Sequence, residues 1–167
     1  VFINKLDREG RDAFDLLDEI EKELKIRVRP LSWPVGIGKT FKGVYSLYEK
    51  KLIFFEASSQ KLARETVEVS DLNDPVLTEM VGEDFAEKLR HDVELIEGVY
   101  EPFEKNKYLE GKISPVFFGS AVNNFGVREL LDCFIEVAPG PKERETAQRN
   151  ILPDEKKLTG FVFKIHA

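Results

Sequence analysis

The sequence has little cysteine and little histidine: its 167 residues include one cysteine, Cys133, and two histidines. A single cysteine excludes an internal disulfide and any metal site that needs several thiolates. The apolar residues around Cys133 predict a small buried side chain rather than a reactive thiol. The sequence also lacks a signal peptide and any apolar run long enough to cross a membrane, so we expect a cytoplasmic protein without a membrane partner.

An excess of positive charge is absent as well. The formal net charge is −6, and the charged residues, 34% of the total, are of mixed sign. This balance argues against a direct, specific nucleic-acid site, because proteins that hold phosphate backbones use clusters of lysine and arginine. With 42% hydrophobic residues, the composition favours a folded domain over a disordered chain.

The sequence lacks an initiating methionine, since its only methionine is Met80. Apolar residues 1–3 predict a strand at the very start, and Gly160–Ile165 predict another close to the end. We therefore expect the chain to be a segment of a longer protein.

Two strand–helix pairs enclose a long central region. Residues 1–30 and 113–141 each show a short apolar strand followed by an amphipathic helix, which is the order of a parallel α/β sheet. Two parallel strands are expected, and the continuous apolar run of the second suits a strand buried on both faces. Residues 31–112 are assigned to an α+β insertion, 142–158 to a linker, and 159–167 to the first strand of a following domain.

Within the insertion, alternating apolar residues come first and helical spacing follows. Strands and turns are expected over 27–35 and 43–55, with a hairpin turn at Glu49–Lys51 before a strand over 52–55, and a further short strand is expected over 67–69. Phe85, Leu89, Val93 and Ile96 predict a helix that ends at Gly98, and a short helix is expected over 103–109.

Two polar loops, Asn4–Arg8 and Gly119–Asn124, follow the two predicted parallel strands. Ligands of open α/β sheets bind at the carboxyl ends of such strands. A carboxylate there, Asp7, is suited to accept both donors on the Watson–Crick edge of guanine, the ring N1–H and the exocyclic amine. Adenine lacks this pair of donors and would leave the carboxylate unpaired.

The neighbouring side chains extend this interpretation. The Asn4 amide can donate to the O6/N7 side of guanine, and the Lys5 stem can lie along the face of the base. In the second loop, Ser120 and Ala121 are small enough for close approach; the Ala121 N–H can donate to O6, and the Ser120 hydroxyl can brace Asp7. The alternative for Asn4 and Asp7 is ordinary turn or capping chemistry, which both residue types favour.

Asn4-Lys5-Leu6-Asp7, followed much later by Gly119-Ser120-Ala121, resembles the two guanine-recognition motifs of translational GTPases. Residues 114–127 resemble elongation factor G. Three further segments are more similar to the peptide-chain release factor 3 family: Trp33–Tyr48, Val81–Asp84 and Thr159–Ile165. The resemblance covers essentially the whole chain, in order.

The resemblance implies an α/β fold with part of a P-loop GTPase-like parallel sheet and an inserted α+β subdomain. It implies a GTP/GDP-binding parent that recycles codon-reading release factors from the ribosome during translation termination. The family's phosphate loop, switch regions and magnesium-binding threonine have no match here. The resemblance therefore implies no catalytic residue and no metal ligand in this segment, which is expected to be inactive alone.

The resemblance also places the insertion towards the ribosomal stalk protein, and residues from Thr159 onward in a following β-barrel domain. The insertion carries 16 acidic and 11 basic residues, which suits a docking surface as well as an ordinary solvated one. Two alternatives therefore stay open: a ribosome- or stalk-docking module, and the equivalent segment of an elongation factor G-like GTPase.

Gly36-Ile-Gly-Lys-Thr40 is similar to the end of a phosphate loop, but we reject that interpretation. The full motif needs a further glycine where this sequence has Trp33. It also needs a helix beginning at Lys39, whereas the next residues predict a turn and a strand. A glycine-rich turn inside the insertion is expected instead.

Overall fold

The computed structural model of the chain describes residues 1–54, 66–69 and 71–165. The strands are β1 (Phe2–Ile3), β2 (Val28–Pro30), β3 (Ser32–Val35), β4 (Gly43–Ser46), β5 (Lys51–Phe54), β6 (Thr66–Glu68), β7 (Ser114–Phe118), β8 (Arg144–Glu145) and β9 (Asn150–Ile151). The helices are α1 (Ala13–Leu24), α2 (Pro75–Val81), α3 (Glu83–Val99), α4 (Lys105–Leu109) and α5 (Val127–Val137). The chain divides into two units, Val1–Val137 and Ala138–Ala167.

The first unit contains a three-stranded parallel sheet in the order β1-β7-β2. The central strand β7 comes from the predicted apolar run, and its residues Val116 and Phe118 are fully buried. An α/β fold with a parallel sheet is therefore confirmed. The sheet has three strands rather than the predicted two, because residues 28–30, from the 27–35 segment expected to form strands and turns, pair with β7 as β2.

The division between β2 and β3 lies at Leu31. Its N–H donates to the carbonyl of Val116 in β7 at 2.9 Å, and its carbonyl accepts the N–H of Leu47 at 2.9 Å. The two polar groups of one residue thus bond to two different sheets. Beyond this point the chain joins an antiparallel sheet in the order β3-β4-β5-β6. Phe55, the last residue of the predicted 52–55 strand, lies outside the described residues.

Both sheets share one core, centred on Trp33 of β3. The Trp33 ring lies 4.6 Å from that of Phe14 in α1 and 5.3 Å from that of Phe118 in β7. Its indole N–H donates to the buried Asp92 carboxylate of α3 at 2.9 Å. This side chain therefore connects the parallel sheet, the antiparallel sheet and two helices.

Helix α3 continues beyond Gly98, so the predicted helix end there is wrong. Gly98 does not adopt a positive φ, and the helix ends where the Tyr100 N–H donates to Ile96. The buried Arg29 guanidinium donates to the carbonyls of Ile96 and Tyr100 and to the Glu97 carboxylate. These contacts satisfy the helix end without a left-handed glycine.

The second unit contains a β8–β9 hairpin inside the segment predicted as a linker. Thr159–Ile165, predicted as a strand, form no strand, and Phe161 and Phe163 are exposed. A strand needs a hydrogen-bonding partner, and within the described residues none pairs with this segment. His166 and Ala167, at the end of the predicted strand, lie outside the described residues. The proposed division into domains stays a prediction.

No helix in the described part of the chain is both long and apolar enough to traverse a bilayer.

Candidate functional site

The first loop leaves β1 at the carboxyl edge of the parallel sheet. Pairing with β7 continues past the strand, because Leu6 N–H donates to the Gly119 carbonyl at 3.2 Å. Lys5 then adopts a left-handed conformation with φ of 71°, and the Asn4 side-chain oxygen accepts the Lys5 N–H at 2.8 Å. The loop ends at Asp12, whose carboxylate caps α1 by accepting the Phe14 N–H.

The second loop leaves β7, the neighbouring strand. Ser120 and Phe125 exchange two backbone hydrogen bonds of 2.9 Å each, which close a tight loop. Asn123 donates from its side chain to the Ser120 hydroxyl at 3.0 Å. Gly119 has no room for a side chain, since an added Cβ would lie 2.2 Å from the Phe125 carbonyl oxygen. The sequence thus fixes this loop through backbone contact rather than through bulky side chains.

The two predicted loops meet. The Ala121 N–H donates to the side-chain oxygen of Asn4 at 2.9 Å, across 117 positions of sequence. That oxygen accepts a second N–H, from Lys5, so one amide group ties both loops together. The structure therefore brings all five predicted site residues to one edge of the sheet: Asn4, Lys5, Asp7, Ser120 and Ala121.

One predicted contact is missing. The Ser120 hydroxyl was expected to brace Asp7, but it is buried and accepts the Asn123 amide instead. The Asp7 carboxylate is exposed and forms no hydrogen bond to any described residue. Ser120 shapes its own loop, while Asn4, Lys5, Asp7 and Ala121 are exposed residues.

Sequence reasoning missed two residues beside the site, one in the glycine-rich segment rejected as a phosphate loop and one directly after it. Gly38 donates its N–H to the Leu6 carbonyl at 2.9 Å. The Phe41 ring packs edge-to-face on the Phe125 ring, with centroids 5.2 Å apart. Gly38–Thr40 form a single 3₁₀ turn and β4 begins shortly after it, so the helix required by a phosphate loop does not follow.

The described residues contain no group of three or more His, Cys, Asp or Glu side chains placed to hold a metal. Cys133 is buried, as predicted, and burial raises the pKa of its thiol, with Glu136 and Glu49 acting in the same direction.

A cavity of about 620 Å³ lies at the opposite, amino end of the parallel strands. Three of its charged residues pair with one another: Glu101 accepts from Arg27 at 2.7 Å and from Lys107 at 2.9 Å. Burial, with the nearby carboxylates of Asp18 and Glu21, raises the pKa of Tyr100 in its wall to about 12. None of the five predicted site residues lines this cavity.

The family model of the elongation factor Tu GTP binding domain matches residues 1–140. The match contains both loops and ends just after α5, close to the boundary of the first unit at Val137. It therefore spans the region whose strand ends carry the Asn4–Ala121 contact. The chain belongs to the translational GTPase family that is defined by the elongation factor Tu GTP binding domain.

Proposed function

We propose that the two loops recognise the guanine base of GTP and GDP, and that the parent protein recycles codon-reading release factors from the ribosome. The observation that supports the first part most strongly is the Asn4–Ala121 hydrogen bond of 2.9 Å. It joins two loops with base-reading chemistry at the carboxyl ends of adjacent parallel strands, which is the edge where such sheets bind nucleotides.

The Asn4 amide is held in one orientation. Its oxygen accepts the N–H groups of Lys5 and Ala121, and its side-chain NH₂ group has no hydrogen bond to any other described residue. The oxygen is thus turned into the protein and the NH₂ group is turned out. In this orientation the NH₂ group is available to donate to the O6/N7 side of guanine.

Asp7 and Lys5 complete the proposed site. The exposed Asp7 carboxylate can accept the N1–H and the exocyclic amine of guanine together. The left-handed backbone of Lys5, with φ of 71°, costs about 1 kcal/mol for a residue with a side chain. A strained conformation that is retained beside a surface loop supports a functional role, which here is to place the lysine stem along the base.

A base exchange tests this proposal. In Asp7→Asn, the amide oxygen still accepts the N1–H, but the amide NH₂ now faces the exocyclic amine of guanine, and two donors cannot pair. Xanthine carries a carbonyl oxygen in place of that amine and can accept from the NH₂ group. We expect Asp7→Asn to lose the preference for GDP over ADP and to prefer xanthosine diphosphate. The matched control is Asp12→Asn, which removes the same charge and keeps a side chain suited to capping α1. An unchanged base preference in Asp7→Asn would rule out the carboxylate as the reader.

The described site supplies base contacts only. Phosphate contacts provide much of the affinity for nucleotides, and the sequence contains no complete phosphate-loop motif. We therefore predict that this chain alone hydrolyses no GTP and binds GDP more weakly than micromolar. Titration of ¹⁵N-labelled chain with GDP measures the affinity, and sub-micromolar binding would contradict the prediction.

The termination role is supported by the resemblance of Trp33–Tyr48, Val81–Asp84 and Thr159–Ile165 to the release factor 3 family. It is tested with the full-length protein in a reconstituted translation system. GTP-dependent release of a codon-reading release factor from ribosomes, without stimulation of translocation, is the expected result. The reverse result assigns the chain to an elongation factor G-like protein.

A stalk-docking function is the second candidate, supported by the acidic outer surface of α3. Glu83, Asp84, Glu87 and Glu94 are all exposed on this helix, and such a surface is complementary to a basic partner. Titrating ¹⁵N-labelled chain with purified ribosomal stalk protein should shift the α3 signals. Unchanged spectra at high stalk concentration would count against this function.

A further inference from the structure

We propose that the turn Gly36–Phe41, here named the bracing turn, holds both base-reading loops in position and makes guanine affinity depend on the antiparallel sheet. The inference rests on the proposed guanine site for its ligand, although the contacts themselves do not. It assigns a role to the Gly-Ile-Gly-Lys-Thr segment, which is not a phosphate loop.

The bracing turn contacts the first loop at its midpoint. Gly38 N–H donates to the Leu6 carbonyl at 2.9 Å, while Leu6 N–H donates to Gly119 at 3.2 Å. The buried Leu6 is therefore held on one side by the bracing turn and on the other by the end of β7. Leu6 lies between Lys5 and Asp7, so its backbone sets where both of those side chains begin.

The approach at Gly38 is tight, so that a side chain there would force its neighbours to shift by a few tenths of an ångström. At Gly38, φ is +61°, and an added Cβ would lie 3.0 Å from Glu9 Cγ, 3.1 Å from the Glu9 nitrogen and 3.3 Å from the Arg8 carbonyl carbon. Two of these three neighbours are backbone atoms of the first loop, which cannot move away as a side-chain end can. A side chain at this position must therefore displace the loop or the bracing turn.

The same turn contacts the second loop through a ring. Phe41 meets Phe125 edge-to-face, with centroids 5.2 Å apart and an interplanar angle of 87°. Phe125 is buried and exchanges two backbone hydrogen bonds with Ser120, the residue before Ala121. A displacement of the Phe41 ring would therefore move Phe125 and, through the two backbone hydrogen bonds, Ser120 next to Ala121.

The shape of the bracing turn is itself fixed. Gly36 has φ of +79°, and an added Cβ would lie 2.1 Å from the Thr40 carbonyl oxygen. Thr40 donates its hydroxyl proton to the Ile37 carbonyl at 2.9 Å, and Lys42 N–H donates to Val35 at 2.8 Å. The turn is therefore a rigid connection between β3 and β4, and a displacement of that sheet would reach both loops.

The coupling that follows is reciprocal. If the position of the antiparallel sheet changes the affinity for guanine, guanine must change the free energy of moving the sheet by the same amount. A partner that binds the insertion and shifts β3 and β4 would therefore alter nucleotide affinity without touching the base.

The test compares Gly38→Ala with Gly111→Ala in the whole 167-residue chain. Gly111 has a similar positive φ of +73°, but an added Cβ there meets nothing within 4 Å. Both variants therefore carry backbone strain, and only Gly38→Ala presses on the first loop. We expect Gly38→Ala to shift the amide signals of Leu6 and Glu9 and to weaken GDP binding about fivefold or more, the lower end of typical coupling. Gly111→Ala should leave both unchanged.

Two further variants separate positioning from loss of stability. Phe41→Leu keeps an apolar side chain but removes the edge-to-face contact, and it should shift the Ser120 and Ala121 signals and weaken GDP binding. Adding Glu9→Ala to Gly38→Ala removes the Glu9 Cγ contact and should recover part of the GDP affinity. General destabilisation would not be relieved by a second truncation in the loop.

The possible results are distinct. Equal GDP affinity in Gly38→Ala and Gly111→Ala, with unchanged Leu6 and Glu9 signals, would overturn the bracing role. Altered loop signals in Gly38→Ala, together with no response of the unsubstituted chain to millimolar GDP, would support the bracing contact and reject the guanine site.

Discussion

The two ends of the parallel sheet both carry charged residues, but they use them differently. At the amino end, beside the cavity, Glu101 pairs with both Arg27 and Lys107. At the carboxyl end, Asp7 is exposed and makes no hydrogen bond among the residues described. Charged groups that pair with one another have few hydrogen-bonding positions available to a ligand, whereas an unpaired carboxylate keeps its acceptor positions available. The proposed guanine site therefore rests on available hydrogen-bonding capacity rather than on cavity volume.

The largest effect on stability is expected from Trp33→Ala, because Trp33 lies in the core shared by the parallel and antiparallel sheets. Its side chain is 1% exposed and contacts Phe14, Phe118 and Asp92. We expect the free energy of unfolding to fall by about 3–5 kcal/mol. Urea unfolding followed by circular dichroism measures this, with Phe134→Ala on the exposed side of α5 as the control. Comparable losses in the two variants would show that Trp33 does not connect the sheets.

A second effect should distinguish the two ends directly. Gly119→Ala places Cβ 2.2 Å from a backbone oxygen, whereas Gly111→Ala meets nothing within 4 Å. We expect a loss of about 3 kcal/mol at Gly119, at the upper end for overpacked sites. At Gly111 we expect about 1 kcal/mol, from positive φ alone. Equal melting temperatures in the two variants would contradict the close packing of Gly119 against the Phe125 backbone.

The amino end should show its own signature at high pH. Burial, with Asp18 and Glu21, raises the pKa of Tyr100 to about 12, against about 10 in an unfolded chain. Between these values the unfolded chain loses its proton first, so stability falls as pH rises from about 10 to about 12. A pKa difference of about two is worth at most about 2.7 kcal/mol, and solvent screening makes the loss at the half-buried Tyr100 smaller than that. Tyr100→Phe should flatten this part of the stability curve, and an unchanged slope would contradict the assignment.

The smallest effect is expected from Glu101→Gln, which removes the acceptor shared by Arg27 and Lys107. These groups are solvent-exposed, and exposed ion pairs contribute little to stability. The melting temperature should change within experimental error at moderate salt. A large, salt-sensitive loss of stability would show that the ion pairs of Glu101 stabilise the fold.

The carboxyl end was the more predictable part of the sequence. Its strands have continuous apolar runs, and Asn4, Asp7 and Ser120 follow them directly, so the meeting of the loops follows from parallel pairing. The bracing turn was not predictable in the same way. Its contact with Leu6 uses backbone atoms of Gly38, and a backbone hydrogen bond leaves no side-chain pattern in the sequence.

Other errors have similar causes. The parallel sheet gained a third strand because residues 28–30 pair with β7, and alternation of apolar side chains does not record which sheet a strand joins. Gly98 was expected to end α3, but capping by Arg29 depends on a side chain remote in sequence. Local patterns predicted the elements well where local contacts fix them, and poorly where distant residues do.

The double hydrogen bond to the Asn4 oxygen has a consequence for selectivity. In the structure described here, that oxygen already receives the Ala121 N–H, which is the group proposed to meet O6 of guanine. The Asn4 oxygen and guanine O6 would therefore compete for the same Ala121 N–H. A base with a carbonyl at this position can displace the Asn4 oxygen, whereas the amino group of adenine, itself a donor, cannot accept the released N–H. Under the proposed function, this competition would disfavour adenine independently of Asp7.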